Sequence, residues 1–179
     1  MKPKIAVIKI AQTGVLLALL VVLQGVTAGL GNQFLTGSLV NLVLAIAALV
    51  GGLLPGLVVA LVSPFVAFLF GIGPKLLLIV PLIAIGNAAL VLVLYFAAGK
   101  SSRSVRLVGA AIGAAVCKFL VLYLLVVQIV CRFAGLAQGQ VATLSAMFSW
   151  PQLVTALIGG FLACAIVPLL RRALPKVQA

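Results

Sequence analysis

The sequence predicts an all-α membrane protein: a compact bundle of six transmembrane helices with both termini in the cytoplasm. Hydrophobic residues make up 66% of its 179 residues and charged residues only 7%, whereas a soluble domain carries roughly 25% charged residues. Several apolar runs approach the roughly 20 residues that a helix needs to cross a bilayer. The cations also cluster at alternate ends of these runs, as expected for a multi-pass protein.

The apolar runs divide the chain at Gly, Pro and polar positions. The six predicted helices of a single domain, 1–179, span residues 10–28, 38–54, 57–71, 77–98, 105–131 and 152–170. Pro55 and Gly56 are expected to form the turn between the second and third helices, which are short enough for this hairpin to lie shallow or tilted. Residues 132–149 form a longer connection, whose spaced apolar residues suggest a short amphipathic piece at the interface.

The basic residues set the expected orientation. Nine of them fall on one side of the six-helix arrangement: Lys2, Lys4, Lys9, Lys100, Arg103, Arg106, Arg171, Arg172 and Lys176. The other side has only Lys75 and Arg132, and Lys118 lies inside the fifth helix. Because cytoplasmic loops are rich in Lys and Arg, this distribution predicts that both termini are cytoplasmic.

The sequence contains no Asp, Glu or His. Paired carboxylates and Ser-His-Asp triads are therefore excluded, and only the thiols of Cys117, Cys131 and Cys164 remain as metal ligands. Three widely spaced cysteines in or beside apolar runs are more typical of small buried hydrophobes. We predict no catalytic residue, metal, cofactor or nucleic-acid partner. Since proton relays in membranes usually need Asp, Glu or His, transport must be passive or powered by another subunit.

Lys118 is the most informative polar residue. It lies deep in the fifth predicted helix, and no side-chain carboxylate exists to pair with it. A charge in hydrocarbon is costly, so this lysine must face a water-filled cavity, bind backbone carbonyls, be neutral or meet an anion from outside the chain. We expect it to be the counter-charge for a carboxylate or other anionic group of a solute. A lysine solvated in a wet crevice is the structural alternative.

Further polar side chains lie in or near the apolar runs. These candidate substrate-binding residues are Gln24, Asn41, Asn87, Gln152 and Thr155. Each alone is more often a hydrogen bond between helices than a ligand contact, but together with Lys118 they predict a polar pocket that opens outward. Trp150 is a further candidate, because it fits either an interfacial aromatic belt or stacking on a ligand.

Four local runs carry a resemblance to a known family. They are Leu-Thr-Gly-Ser-Leu-Val-Asn at 35–41, Ser-Pro-Phe at 63–65, Pro-Leu-Ile-Ala-Ile-Gly-Asn at 81–87, and the segment at 148–159. With the chain length and six predicted helices, they resemble the substrate-binding S component of energy-coupling factor (ECF) transporters. These transporters import vitamins and similar micronutrients in prokaryotes.

The resemblance implies a subunit of the prokaryotic plasma membrane that captures a small, vitamin-like solute in an outward-facing pocket. It implies a lid at residues 29–37, with Asn32 and Gln33 as polar contacts. It also implies that Gly14 and Ala18 of the first helix dock on a transmembrane coupling subunit. Two ATPase subunits of that ECF module supply the energy, so this chain is not expected to be an enzyme. The alternative is a passive channel or facilitator, or a structural membrane protein without transport function.

Overall fold

The computed structural model describes residues 2–99, 101 and 103–173, with side chains from Val7 onward, so Lys100 and Lys176 of the charge pattern lie outside the described residues. Every regular element in these ranges is helical. The elements are α1 (Lys2–Ala28), α2 (Gln33–Ile46), a π-helical segment (Ala47–Gly51), α3 (Leu53–Leu69), a 3-10 turn (Leu77–Ile79), α4 (Val80–Ala98), α5 (Ser104–Leu122), a second π-helical segment (Tyr123–Val130), α6 (Cys131–Phe133), α7 (Gln138–Phe148) and α8 (Trp150–Ala173).

Five helical stretches of the described chain are long and apolar enough to cross a membrane. α5, the second π-helical segment and α6 form one of them, a continuous stretch of 30 residues from Ser104 to Phe133. α3 is apolar but shorter, with 17 residues. The protein is therefore an all-helical, multi-pass membrane protein with five or six apolar helices.

The core lies between α2, α4, α5 and α8, and α1 packs at the periphery against α2 and α3. Only Leu20 and Thr27 of the described α1 side chains are buried. A second apolar cluster, which includes Ile79, Leu122 and Phe148, joins α7 to the second π-helical segment. Many large apolar side chains remain exposed on the outside of the helices, as expected for a surface that faces lipid.

The two ends of the bundle differ in structure. We call the end that carries the α1–α2 loop, the α3–α4 loop and α7 the cavity end, and the opposite end the base. At the base, the guanidinium of Arg171 donates to three carbonyl oxygens: those of Leu49 (2.6 Å), Ser101 (2.7 Å) and Gly99 (3.0 Å). One side chain of α8 thus connects the first π-helical segment, the C-terminal end of α4 and the connection from α4 to α5.

Several element boundaries differ from the sequence expectation. α2 begins at Gln33 instead of residue 38, because Asn32 caps its first turn. The turn before α3 lies at Gly52, whose φ of 100° favours glycine, and not at Pro55. Pro55 instead lies in the first turn of α3, where its missing N–H leaves no helical hydrogen bond unmade. Residues 138–148 form a complete helix, α7, because Leu144 and Phe148 have an apolar cluster to pack against.

Candidate functional site

Lys118 and two asparagines form a buried polar cluster in the core. The Nζ of Lys118, on α5, donates to Oδ1 of Asn41 on α2 (2.6 Å) and to Oδ1 of Asn87 on α4 (2.7 Å). The three side chains are between 1% and 3% exposed. The lysine is therefore held by neutral amide oxygens, which accept hydrogen bonds from it but carry no charge that could pair with an ammonium.

Two glycines allow the asparagines to reach this position. A Cβ on Gly86, next to Asn87, would lie 2.6 Å from Cγ of Leu122 on α5. A Cβ on Gly159 of α8 would lie 2.5 Å from the carbonyl oxygen of Ser38 on α2. Glycine at these positions lets α4 approach α5 and α8 approach α2 closely, and so brings the two amides to the lysine.

Thr155 supports Asn41 from α8. The Nδ2 of Asn41 donates to the carbonyl oxygen of Gly37 (2.9 Å) and to Oγ1 of Thr155 (3.4 Å). The hydroxyl of Thr155 in turn donates to the carbonyl oxygen of Gln152 (3.2 Å). Thr155 does not line the cavity described next, so its role in the structure is to orient Asn41.

A cavity of about 290 Å³ extends from this cluster to the cavity end of the bundle. Lys118, Asn41 and Asn87 lie at its floor, and its walls are largely apolar. The apolar lining includes Val40, Pro64, Phe68, Val80, Ile83 and Phe148. Pockets for drug-sized ligands measure roughly 300–1,000 Å³, so this cavity suits a small solute with one polar end in the core.

Gln33 and Gln152 lie at the rim of the cavity and share one acceptor. Their Nε2 atoms donate to the carbonyl oxygen of Met147, at 2.8 Å and 3.1 Å respectively. These bonds join the beginnings of α2 and α8 to the last turn of α7. Asn32 also lines the rim, but its Oδ1 is occupied as the cap of α2, accepting from the backbone N–H groups of Phe34 (3.0 Å) and Leu35 (3.2 Å). The expected lid at 29–37 is thus a short loop, 29–32, followed by the first residues of α2.

Of the three remaining sets of candidates, only Gln24 lines the cavity. Gln24 of α1 lines the cavity, and its Oε1 is buried without a hydrogen-bond partner among the described residues. Trp150 does not line the cavity; it is 62% exposed and packs against Phe34 in a tilted arrangement, with ring centroids 5.6 Å apart. Gly14 and Ala18 are exposed on the outer face of α1, and a Cβ on Gly14 would meet no atom within 4 Å.

Most of the lining was not among the candidates, and four of these residues are instructive: Thr36, Ser63, Phe68 and Met147. Ser63 had a sequence signal, because it is the only polar side chain in the 17 residues of α3 and is 1% exposed. Thr36 was assigned to the lid loop, and here its Oγ1 donates to Oγ1 of Thr27 (2.9 Å). Phe68 and Met147 are apolar and resemble any other core residue in the sequence, so only the packing reveals them.

Comparison with known proteins assigns the chain to a family. Neither the curated proteins nor the solved structures that were searched give a match. One family model, described as "ECF transporter, substrate-specific component", matches residues 9–171. This range contains every residue that lines the cavity. The chain therefore belongs to the family of ECF transporter substrate-specific components, the substrate-binding subunits of a class of membrane transporters.

Proposed function

We propose that this protein captures a small, vitamin-like solute that carries a carboxylate or another anionic group. The observation that carries the proposal is the buried Lys118, held by two amide oxygens at the floor of the cavity. The sequence has no Asp or Glu that could neutralise it. An ammonium with neutral partners in a low-dielectric core favours the binding of an anion. A neutral solute with strong acceptor oxygens would use the same donors more weakly.

The protein acts in this proposal as a single domain with six membrane crossings, and the cavity opens to the outside. The distribution of charge supports this orientation. The base of the bundle carries Arg103, Arg106, Arg171 and Arg172, whereas the cavity end carries Lys75 and Arg132. Under the positive-inside rule the base faces the cytoplasm, together with both termini. The membrane is then the plasma membrane of a prokaryote, where ECF transporters work.

Transport itself requires partners in this proposal. The chain has no nucleotide-binding motif and none of the acidic residues or histidines of a proton-coupled carrier. A transmembrane coupling subunit and two ATPase subunits would supply the energy. Gly14 and Ala18 support α1 as the docking helix, because both lie on its exposed face and small residues let helices approach closely.

The test combines solute binding and uptake. The purified chain is extracted with organic solvent, and co-purified metabolites are identified by mass spectrometry. The same chain, reconstituted in liposomes, should bind the identified solute but accumulate it only together with an ECF module and ATP. Permeation by the chain alone would instead support a passive channel or facilitator. An absence of any bound metabolite, with no thermal shift across a vitamin panel, would favour a structural role.

A further inference from the structure

The amide orientation of the rim glutamines is fixed by their shared partner. Gln33 and Gln152 both donate to the carbonyl oxygen of Met147. A carbonyl oxygen can only accept a hydrogen bond, so both side chains must turn Nε2 towards it. Neither Oε1 atom accepts a hydrogen bond from another described residue. The rim of the cavity therefore offers two free acceptors.

The floor of the cavity has the opposite polarity. Lys118 can only donate, so Asn41 and Asn87 must both turn Oδ1 towards it. The Nδ2 of Asn41 is occupied by Gly37 and Thr155. The Nδ2 of Asn87 donates to no other described residue, and the lysine has a third N–H beyond the two in use. The floor therefore offers donors and no free amide acceptor.

Distance and apolar walls keep the two polar sets apart. Gln33 and Asn41 lie on the same helix, α2, and their eight-residue separation corresponds to about 12 Å along the axis. The wall between these levels includes the apolar side chains of Val40, Ile83 and Phe148, and the cavity lining also contains Gln24, Thr36 and Ser63. A bound solute should therefore present mostly apolar surface in its middle. A polar group there loses its hydration unless it reaches one of the few polar side chains of the lining, such as Gln24, whose Oε1 has no partner among the described residues.

We infer that the solute is bipolar, with an anionic acceptor at one end and an N–H or O–H donor at the other. A carboxylate at the floor receives hydrogen bonds from Lys118 and Asn87. An apolar body fills the middle of the cavity, and the far donor reaches the Oε1 atoms of Gln33 and Gln152. The inference rests on the proposed solute capture and adds a second specificity element, the rim. It assigns Gln33 and Gln152 to recognition of a donor group, which the alkyl end of a plain fatty acid lacks.

Three matched probes test the inference on the full chain in detergent after removal of bound metabolites. They are an ω-hydroxy carboxylate, the n-alkanoate and the α,ω-diol, each with about eight carbons to suit the roughly 12 Å separation. Binding is measured by isothermal titration calorimetry. The hydroxy acid should bind roughly tenfold more tightly than the alkanoate, the gain expected of one well-placed hydrogen bond. The comparison uses the wild-type protein and so does not depend on the folding of any variant.

Variants then locate the effect. Gln33→Leu with Gln152→Leu should abolish the preference for the hydroxy acid while the alkanoate still binds. Gln128→Leu is the matched control, because Gln128 lies on the second π-helical segment and does not line the cavity. Equal binding of the hydroxy acid and the alkanoate overturns the bipolar inference but leaves the anion site intact. Binding of the diol as tightly as the hydroxy acid, or failure of both carboxylates to bind, overturns the anion site and the proposed function with it.

Discussion

Gly159 of α8 packs so closely on Asn41 of α2 that a Cβ on the glycine would lie 2.7 Å from the Cβ of the asparagine. The backbone of Ser38 and Leu42 is equally close, and backbone cannot move aside as a flexible side chain can. This crossing of α2 and α8 sets the position of Asn41, and through it the position of the ammonium of Lys118. A packing contact between helices therefore controls the geometry of the proposed anion site.

Gly159→Ala should separate α2 from α8 and lower thermal stability in detergent. Overpacking of this kind costs about 1–3 kcal/mol, and solute binding should weaken because Asn41 moves. Gly109→Ala is the control: Gly109 is also helical, but a Cβ there meets no atom within 4 Å. Equal melting temperatures for the two variants would show that the α2–α8 crossing tolerates a methyl group.

Lys118→Gln should abolish most of the affinity for an anionic solute without unfolding the protein. A glutamine amide can still donate to Asn41 and Asn87, so the buried acceptors keep partners, but the charge is lost. A hydrogen bond to a charged group contributes about 1.5–3 kcal/mol, which corresponds to a roughly 10- to 150-fold increase in Kd. The measurement is calorimetric titration with the metabolite that co-purifies with the wild-type protein.

Lys9→Gln is the matched control for this loss of charge, because Lys9 is exposed on α1 and remote from the cavity lining. It should leave Kd unchanged. An unchanged Kd in Lys118→Gln as well would contradict the role of Lys118 as counter-charge and leave it a solvated lysine in a wet crevice.

Arg171→Ala should destabilise the base of the bundle. The substitution removes all three hydrogen bonds to the carbonyl oxygens of Leu49, Gly99 and Ser101. We expect a loss of about 1.5–3 kcal/mol, typical of hydrogen bonds from a charged group, measured as a lower melting temperature in detergent. Arg171→Lys should restore only part of it, since one ammonium lacks the fork geometry of the guanidinium. The exposed Arg172, substituted by Ala, serves as control and should change little.

Gly14→Leu and Ala18→Leu should reduce ATP-driven uptake while leaving solute binding unchanged. Both residues lie on the exposed face of α1, away from the cavity lining, so a larger side chain there obstructs a partner helix but not the solute. Uptake into liposomes with the ECF module is compared with binding to the isolated chain. Ala165→Leu, on an exposed face of α8, controls for added bulk. Equal uptake by all three variants would indicate that another helix forms the docking surface.

Local pattern in the sequence was enough to predict the apolar helices, the membrane location and a deeply buried Lys118, because hydrophobicity and the cost of a charge in hydrocarbon depend mainly on composition. The same rule would also have found Ser63, the only polar side chain of α3. The predicted helix boundaries were less accurate where a single residue determines where a helix begins, as with the helix cap at Asn32 and the turn at Gly52.

Only the tertiary structure decided which polar side chains meet. Asn41, Asn87 and Lys118 come from three helices, and their convergence depends on helix crossings that Gly86 and Gly159 permit. The sequence offered Thr155 and Trp150 among the candidates, yet neither lines the cavity. Helical periodicity tells which residues share a face of one helix, but contacts between helices depend on the fit of their surfaces. The opposite polarities of floor and rim follow from that packing, because each buried amide turns according to the partner that the fold supplies.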